Sequence, residues 1–360
     1  MLYNAVNGRV NASGMSMSYV RFGSGKKPFL ILPGLSDGLA TVKGKALLLA
    51  PPYKAIFKDY TVYIFSRKDG LPVTHTIRDM ADDQAAAMAE LGIGRACVMG
   101  VSEGGMIAQA LAVGYPQLVE KLVVAVSAPY ANDTVRQNVA RWIGFAGDKE
   151  HKKLMIDTAE KSYSPARLKK YRLIYPVIGL IGRPKDYGRF IANAKAILGF
   201  DLRDGLGKIK CPTLLIGGGD DKTVGADAAN ELHSLIPGST LHVYPGLGHA
   251  AYEEAKDFYR VVFDFLQAPD RGEQIARISR YERIMCRTAE ILSSGDRSPE
   301  ARKEIEENAK ILDAYYGGDE WKRDFEDDEA GLLPKDLRRG VLSEDGLYDL
   351  LERCREYLEE

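Results

Sequence analysis

Gly100-Val101-Ser102-Glu103-Gly104-Gly105 constrains this chain more than any other stretch. An apolar run, Ala96-Cys97-Val98-Met99, leads into it, and a helical pattern over 106–112 leads out. A G-x-S-x-G pentapeptide between a strand and a helix makes a sharp turn, because its small residues let two backbones approach closely. The turn pushes the serine hydroxyl out at the end of a sheet. There it can attack a carbonyl, provided a histidine and an acid reach it.

Both partners follow in order. Pro212-Thr213-Leu214-Leu215-Ile216-Gly217-Gly218-Gly219-Asp220-Asp221 reads as a buried strand ending in a loop with two carboxylates. Gly246-Leu247-Gly248-His249 follows the short run Leu241-His242-Val243-Tyr244. Each candidate sits just after a predicted strand, and parallel strands bring their carboxyl ends to one edge. Ser102, Asp221 and His249 are therefore expected to meet. Asp220 is the alternative acid, with capping of its own loop as its other reading. His75, His151, His233 and His242 lack the strand-to-loop setting.

The order Ser, Asp, His, together with the elbow, resembles the α/β-hydrolase superfamily over about residues 15–268. The resemblance implies a mostly parallel sheet with helices on both faces and a serine hydrolase mechanism. In it His249 is the base, Asp221 holds the imidazole, and an acyl-enzyme forms on Ser102. It also implies an oxyanion hole made by the backbone amides of Glu103 and Leu35. Leu35 lies in the loop Pro33-Gly34-Leu35, which lacks the histidine common there in relatives; a backbone donor does not need it. No metal or organic cofactor is expected. The same triad serves carboxylic esters, amides, carbon–carbon bonds and acyl transfer, and the scaffold also hosts non-catalytic ligand-binding or signalling proteins.

Strands are expected at 16–21, 27–32, 60–65, 96–101 and 121–127, with a helix over 76–91. The alternation stops at about 133–208, where Trp142, Phe145, Tyr163, Tyr171, Tyr175, Tyr187 and Phe190 lie in a helical, basic background. An insertion there matches the place of a helical cap in the superfamily, and its aromatics suggest a small acyl substrate with an apolar or aromatic part. Residues 269–272 read as a linker. The 273–360 stretch reads as helices, with Ser298 and Pro299 opening the second. Tyr315-Tyr316-Gly317-Gly318-Asp319-Glu320-Trp321 and Leu333-Pro334-Lys335-Asp336-Leu337-Arg338-Arg339-Gly340 resemble a small bacterial domain of unknown function. A bacterial source follows from that resemblance.

Composition narrows the partners. The net charge of −1 supplies no field for nucleic acid, and no stretch is long and apolar enough for a membrane span, so neither partner is expected and a cytoplasmic location is the default. Four scattered cysteines indicate neither a zinc site nor a disulfide framework. The charge is unevenly distributed. Residues 135–210 hold 17 Lys and Arg against 7 Asp and Glu, whereas 270–360 hold 16 against 25. The basic excess reads as a solvated face, with attraction of an anionic substrate or docking of the acidic tail as alternatives. A homo-oligomer is possible through the tail helices. The run Asp324-Phe325-Glu326-Asp327-Asp328-Glu329 reads as solvated charge, since it lacks calcium-loop spacing. Glu103 reads as a carboxylate favoured by a helix N-terminus, the alternative being a pair with Arg141 or Arg172.

Overall fold

Short apolar runs rich in Val, Ile and Leu set the centre of the molecule. In a computed structural model describing residues 2–12, 14–269, 271–334 and 337–359, they form one eight-stranded sheet. Its strands are β1 (Val6–Ala12), β2 (Met15–Gly23), β3 (Lys27–Leu32), β4 (Tyr60–Lys68), β5 (Ala96–Val101), β6 (Val119–Ala125), β7 (Thr213–Gly218) and β8 (Thr240–Tyr244). They lie in the order β1-β2-β4-β3-β5-β6-β7-β8. The β1–β2 and β2–β4 pairs are antiparallel, and the remaining pairs are parallel. β1 has no counterpart in the sequence expectation. Its Asn, Gly and Arg hide the strand pattern, and its pairing with β2 supplies what local propensity lacks.

Helices cover both faces. Along the chain they are α1 (Ala46–Leu49), α2 (Ile77–Glu90), α3 (Glu103–Gly114), α4 (Asp133–Gly147), α5 (His151–Ser162), α6 (Pro165–Tyr171), α7 (Gly188–Leu198), α8 (Arg203–Leu206), α9 (Ala228–Leu235), α10 (Ala251–Glu254) and α11 (Phe258–Gln267). The α2 helix begins with a capping box, in which Thr76 accepts from the Asp79 amide and Asp79 accepts from Thr76. Alternate residues of β5 face opposite cores. Ala96 and Val98 join the core with α2 and α3, while Cys97, Met99 and Val101 join the one with α1 and α11. Helices α4 to α8 lie between β6 and β7, in the stretch where the alternation stops. Cys97 is buried, but Cys211 precedes β7 and is half-buried.

The chain divides into two compact units, 1–267 and 268–360. The second contains α12 (Arg271–Ser294), α13 (Pro299–Tyr316), α14 (Asp319–Glu329) and α15 (Glu344–Glu359). Of the stretch read as a linker, Asp270 lies outside the described residues, and α12 already begins at Arg271. Lys335 and Asp336 of the second sequence resemblance also lie outside them. Ser298 caps α13 through the Ala301 amide, with Pro299 in the first turn. Ile278, Ile305, Leu312, Trp321, Leu347 and Leu351 belong to this unit's own core.

One acidic residue there departs from the solvated reading. Asp324 is fully buried, accepts from Arg277 Nε (2.9 Å) and Nη2 (2.6 Å), and also accepts from Gln274 Nε2 (2.9 Å) and the Tyr315 hydroxyl (2.6 Å). Its place on the inner face of α14 decides this. The Arg277 charge, with its two bonds, and the two further donors compensate the cost of burying a carboxylate.

Candidate active site

Register brings the site together. Leu32 pairs with Gly100, Val101 with Ala125, and Ala125 with Ile216, so the loops after β3, β5, β6 and β7 emerge side by side. The direction of strand succession reverses between β3 and β5, whose neighbours lead away on opposite sides. Crevices in open α/β sheets form outside the carboxyl ends at such a reversal.

Ser102 occupies the turn from β5 to α3 with φ 56° and ψ −119°, a strained backbone for a residue with a side chain. The residues two positions to either side have no room for a side chain. A Cβ on Gly100 would lie 2.1 Å from the Gly104 carbonyl oxygen, and one on Gly104 would lie 1.9 Å from that of Leu32. The Ser102 amide donates to the Ala125 carbonyl (2.9 Å), and Ser127 Oγ donates to the Ser102 carbonyl (2.8 Å). Val126, between them, has φ 45°, an uncommon value for a β-branched residue. Sequence reading singles out neither Val126 nor Ser127, because nothing local marks a valine with positive φ.

Ser102, His249 and Asp221 meet. His249 Nε2 lies 2.9 Å from Ser102 Oγ, and Nδ1 lies 2.8 Å from Asp221 Oδ2. An ionised carboxylate only accepts, so the Nδ1 proton faces Asp221 and Nε2 is left to accept from the serine. Asp221 Oδ1 accepts from the amides of Thr223 (2.7 Å) and Val224 (3.0 Å). The loop capping considered for Asp220 is thus done by Asp221 itself, while Asp220 is exposed. The histidine loop sits tightly on β7: a Cβ on Gly218 would meet the Gly248 carbonyl oxygen at 2.2 Å.

Leu35 and Glu103 line the same cavity as Ser102 and His249. Leu35 starts a 3₁₀ turn (Leu35–Gly38) and Glu103 starts α3, so neither amide has an acceptor one turn back. The cavity measures about 170 Å³. Val139 and Trp142 of α4, Leu154 and Met155 of α5, and Phe190 and Ile197 of α7 make its apolar wall. Thr158, Ser162 and Thr223 add hydroxyls, and no Lys or Arg is among the described residues lining it. The basic excess of 135–210 therefore does not furnish the cavity wall. No group of three or more His, Cys, Asp or Glu suited to a metal ion occurs among the described residues.

The Glu103 side chain has a partner that sequence reading missed. Its carboxylate accepts from Arg67 Nη2 at 3.0 Å, and both side chains are completely buried. Arg141 instead pairs with Asp157, and Arg172 with Glu160. Burial raises the Glu103 carboxyl above its ordinary range, and Arg67 opposes that shift. Arg67 Nη2 also donates to the Pro33 carbonyl (2.5 Å), and the Arg67 amide donates to Asp37 Oδ2 (3.0 Å). Arg189 of α7 donates to the same Asp37 oxygen (2.7 Å) and to the carbonyls of Arg67 (2.7 Å) and Lys68 (2.5 Å). Two arginines thus tie the Leu35 loop to β4, to the elbow helix and to α7.

The sheet order, the serine at the strained elbow and the histidine and carboxylate beside it define a protein of the α/β hydrolase class. The model of the alpha/beta hydrolase fold family matches residues 27–256, more than half the chain, and the chain belongs to that family. It is an enzyme of the hydrolase type. Residues 278–360 match a domain of unknown function, DUF4298. A 2-hydroxy-6-oxononadienedioate/2-hydroxy-6-oxononatrienedioate hydrolase of a Pseudomonas species is 30% identical over 205 residues, 54% of this chain and 72% of that protein. A putative carbamate hydrolase RutD of a Caulobacter species is 28% identical over 247 residues, 64% of this chain and 89% of that protein. Among solved structures, an enol-lactonase from Burkholderia xenovorans shares the fold, with a TM-score of 0.63 at 22% identity over 72% of this chain and all of that one. No helix among the described residues is long and apolar enough to cross a membrane.

Proposed function

We propose that the protein is a serine hydrolase cleaving uncharged carboxylic esters or closely related acyl compounds through an acyl-enzyme on Ser102. The observation that carries this reading is the unbroken chain Asp221–His249–Ser102, opening on a cavity whose wall is apolar and lacks cationic side chains. His249 takes the Ser102 proton at Nε2 as Oγ bonds to the acyl carbon. Asp221 steadies the imidazolium. The Leu35 and Glu103 amides donate hydrogen bonds to the carbonyl oxygen as negative charge develops on it. His249 then returns the proton to the leaving group, whose bond to the acyl carbon breaks. In the second half it deprotonates water, whose oxygen bonds to the acyl carbon; the bond from that carbon to Ser102 Oγ then breaks, Oγ takes the proton back from His249, and the acid leaves.

The cavity wall argues against a dicarboxylate as the substrate of this chain. The Pseudomonas relative is named for a dioate, which carries two carboxylates. Two unpaired carboxylates in a cavity without Lys or Arg carry a large desolvation cost. We assign the chemistry to residues 1–268, with the cap at about 133–208, and treat 273–360 as a separate helical domain.

The test is labelling with a fluorophosphonate, followed by turnover of p-nitrophenyl esters of graded acyl length, neutral or bearing a terminal carboxylate. Ser102 takes the label, Ser102→Ala loses it together with about 10⁴-fold or more of turnover, and neutral esters are preferred over carboxylated ones. An unlabelled Ser102 overturns the mechanism. Preference for the carboxylated esters overturns the substrate class alone.

A further inference from the structure

The stretch 161–185 carries seven Lys and Arg and no Asp or Glu. In its middle, where α6 gives way to two 3₁₀ turns (Arg172–Ile174 and Ile178–Leu180), five large apolar side chains face solvent within nine residues. Leu173 is 79% exposed, Leu180 78%, Val177 and Ile181 51% each, and Ile174 37%. Only Ile178 turns inward, at 1%. Exposed apolar residues scattered singly need no explanation, whereas a cluster framed by charge does. Lys169, Lys170, Arg172, Arg183 and Lys185 frame this one, all exposed. Of these, Arg172 is engaged by Glu160, and Asp186 follows Lys185.

The segment is anchored in a defined shape. His151 Nε2 donates to the Ile181 carbonyl at 2.9 Å, and Gly179 sits so close to Lys152 that a Cβ would lie 3.0 Å from the lysine Cβ. Both anchors are on α5, the helix that supplies Leu154, Met155 and Thr158 to the cavity wall.

We propose that residues 173–181 with their flanking cations are a docking surface for an anionic lipid surface. Apolar tips rimmed by Lys and Arg suit a boundary at which acyl chains lie beneath negative headgroups, since the two attractions add. The composition disfavours a protein partner. Lysine is depleted at protein interfaces, and their energetic centres favour Trp, Tyr and Arg over Leu and Val. Here the tips are Leu, Ile and Val, and three of the five framing cations are lysines. The sequence expectation of no membrane partner rests on the lack of a spanning segment, which surface docking does not need. One consequence concerns supply: α5 would link the lipid surface to the cavity, favouring acyl substrates that partition into membranes.

The test sediments the full-length chain with vesicles of phosphatidylglycerol and phosphatidylcholine in equal parts, and with vesicles of phosphatidylcholine alone. Binding is expected to the anionic vesicles. It should weaken as the screening length shrinks from about 10 Å at 0.1 M salt to about 3 Å at 1 M. Two triple variants, Leu173→Ser with Val177→Ser and Leu180→Ser, and Lys169→Glu with Lys170→Glu and Lys185→Glu, should each lose about tenfold or more of that affinity. Their unfolding midpoints, which report the fold whatever the enzyme's substrate, should match the parent's. Three results overturn the proposal: no binding of the parent to anionic vesicles at low salt, variants that bind like the parent, or a parent dimer that the serine variant converts to monomer. The last would assign the patch to a second copy of the chain.

Discussion

Glu103 follows the nucleophile directly, and its carboxylate is the least expected charge in the molecule. A buried ion pair adds little net stability, because desolvating both charges offsets most of their attraction; removing one partner is costly because it strands the other. Arg67 and Glu103 are both fully buried, so Arg67→Met should destabilise the first unit by about 3–5 kcal/mol. Adding Glu103→Gln replaces the stranded charge with a neutral amide and should recover most of that loss. Urea unfolding of the two variants checks it, and equal midpoints for the single and the double would refute the pairing argument. Local signals make Ser102, Asp221 and His249 legible, since each follows a strand in a recognisable loop. Arg67 is not legible in this way. It sits in Phe65-Ser66-Arg67-Lys68-Asp69, which reads as a strand running out into polar loop, and only the β4–β3–β5 order carries its guanidinium to the elbow.

Among elements, the loop after β3 matters most, because it holds one of the two amides assigned to the oxyanion. It is short and is fixed from outside. Arg189 on α7 bonds the Asp37 carboxylate, while the Arg67 amide bonds the same oxygen from β4. A donor misplaced by a fraction of an ångström loses much of its value for a developing charge. Arg189→Ala should therefore lower kcat about ten- to a hundredfold, less than deleting a donor outright, with a smaller change in KM. Arg189→Lys keeps the charge but not the forked geometry and should recover only part. A rise in KM alone would instead make Arg189 a binding residue. The helices of the insertion are readable from their aromatic and apolar spacing, but their attachment to the Leu35 loop is not. It depends on a salt bridge between residues 152 positions apart in the chain. The first strand is hidden for the opposite reason: β1 is too polar to announce itself, and it exists because β2 offers an edge.

At the scale of the whole molecule, separate cores in the two units account for the division of the chain. The residues clustered on the two faces of the sheet end at Leu266, and the third cluster begins at Ile278. The second unit has its own tight features, among them Tyr281 stacked on Tyr315 with ring centroids 3.8 Å apart, and the buried Asp324 with its four donor contacts. Helical spacing alone makes this unit visible in sequence, whereas its acidic run conceals that Asp324 points inward. A domain with a separate core unfolds as its own cooperative unit, so one melting temperature need not describe the chain. Ile305 is wholly buried in the third cluster, and Ile305→Ala should cost that unit about 2–5 kcal/mol through lost burial and the cavity left behind. Calorimetry should then show one transition moving to lower temperature while the other stays, and fluorophosphonate labelling of Ser102 should follow the transition that stays. If both transitions shift together, or labelling falls with the first, the C-terminal unit contributes to the stability of the hydrolase unit, and the two units must be treated as one thermodynamic system.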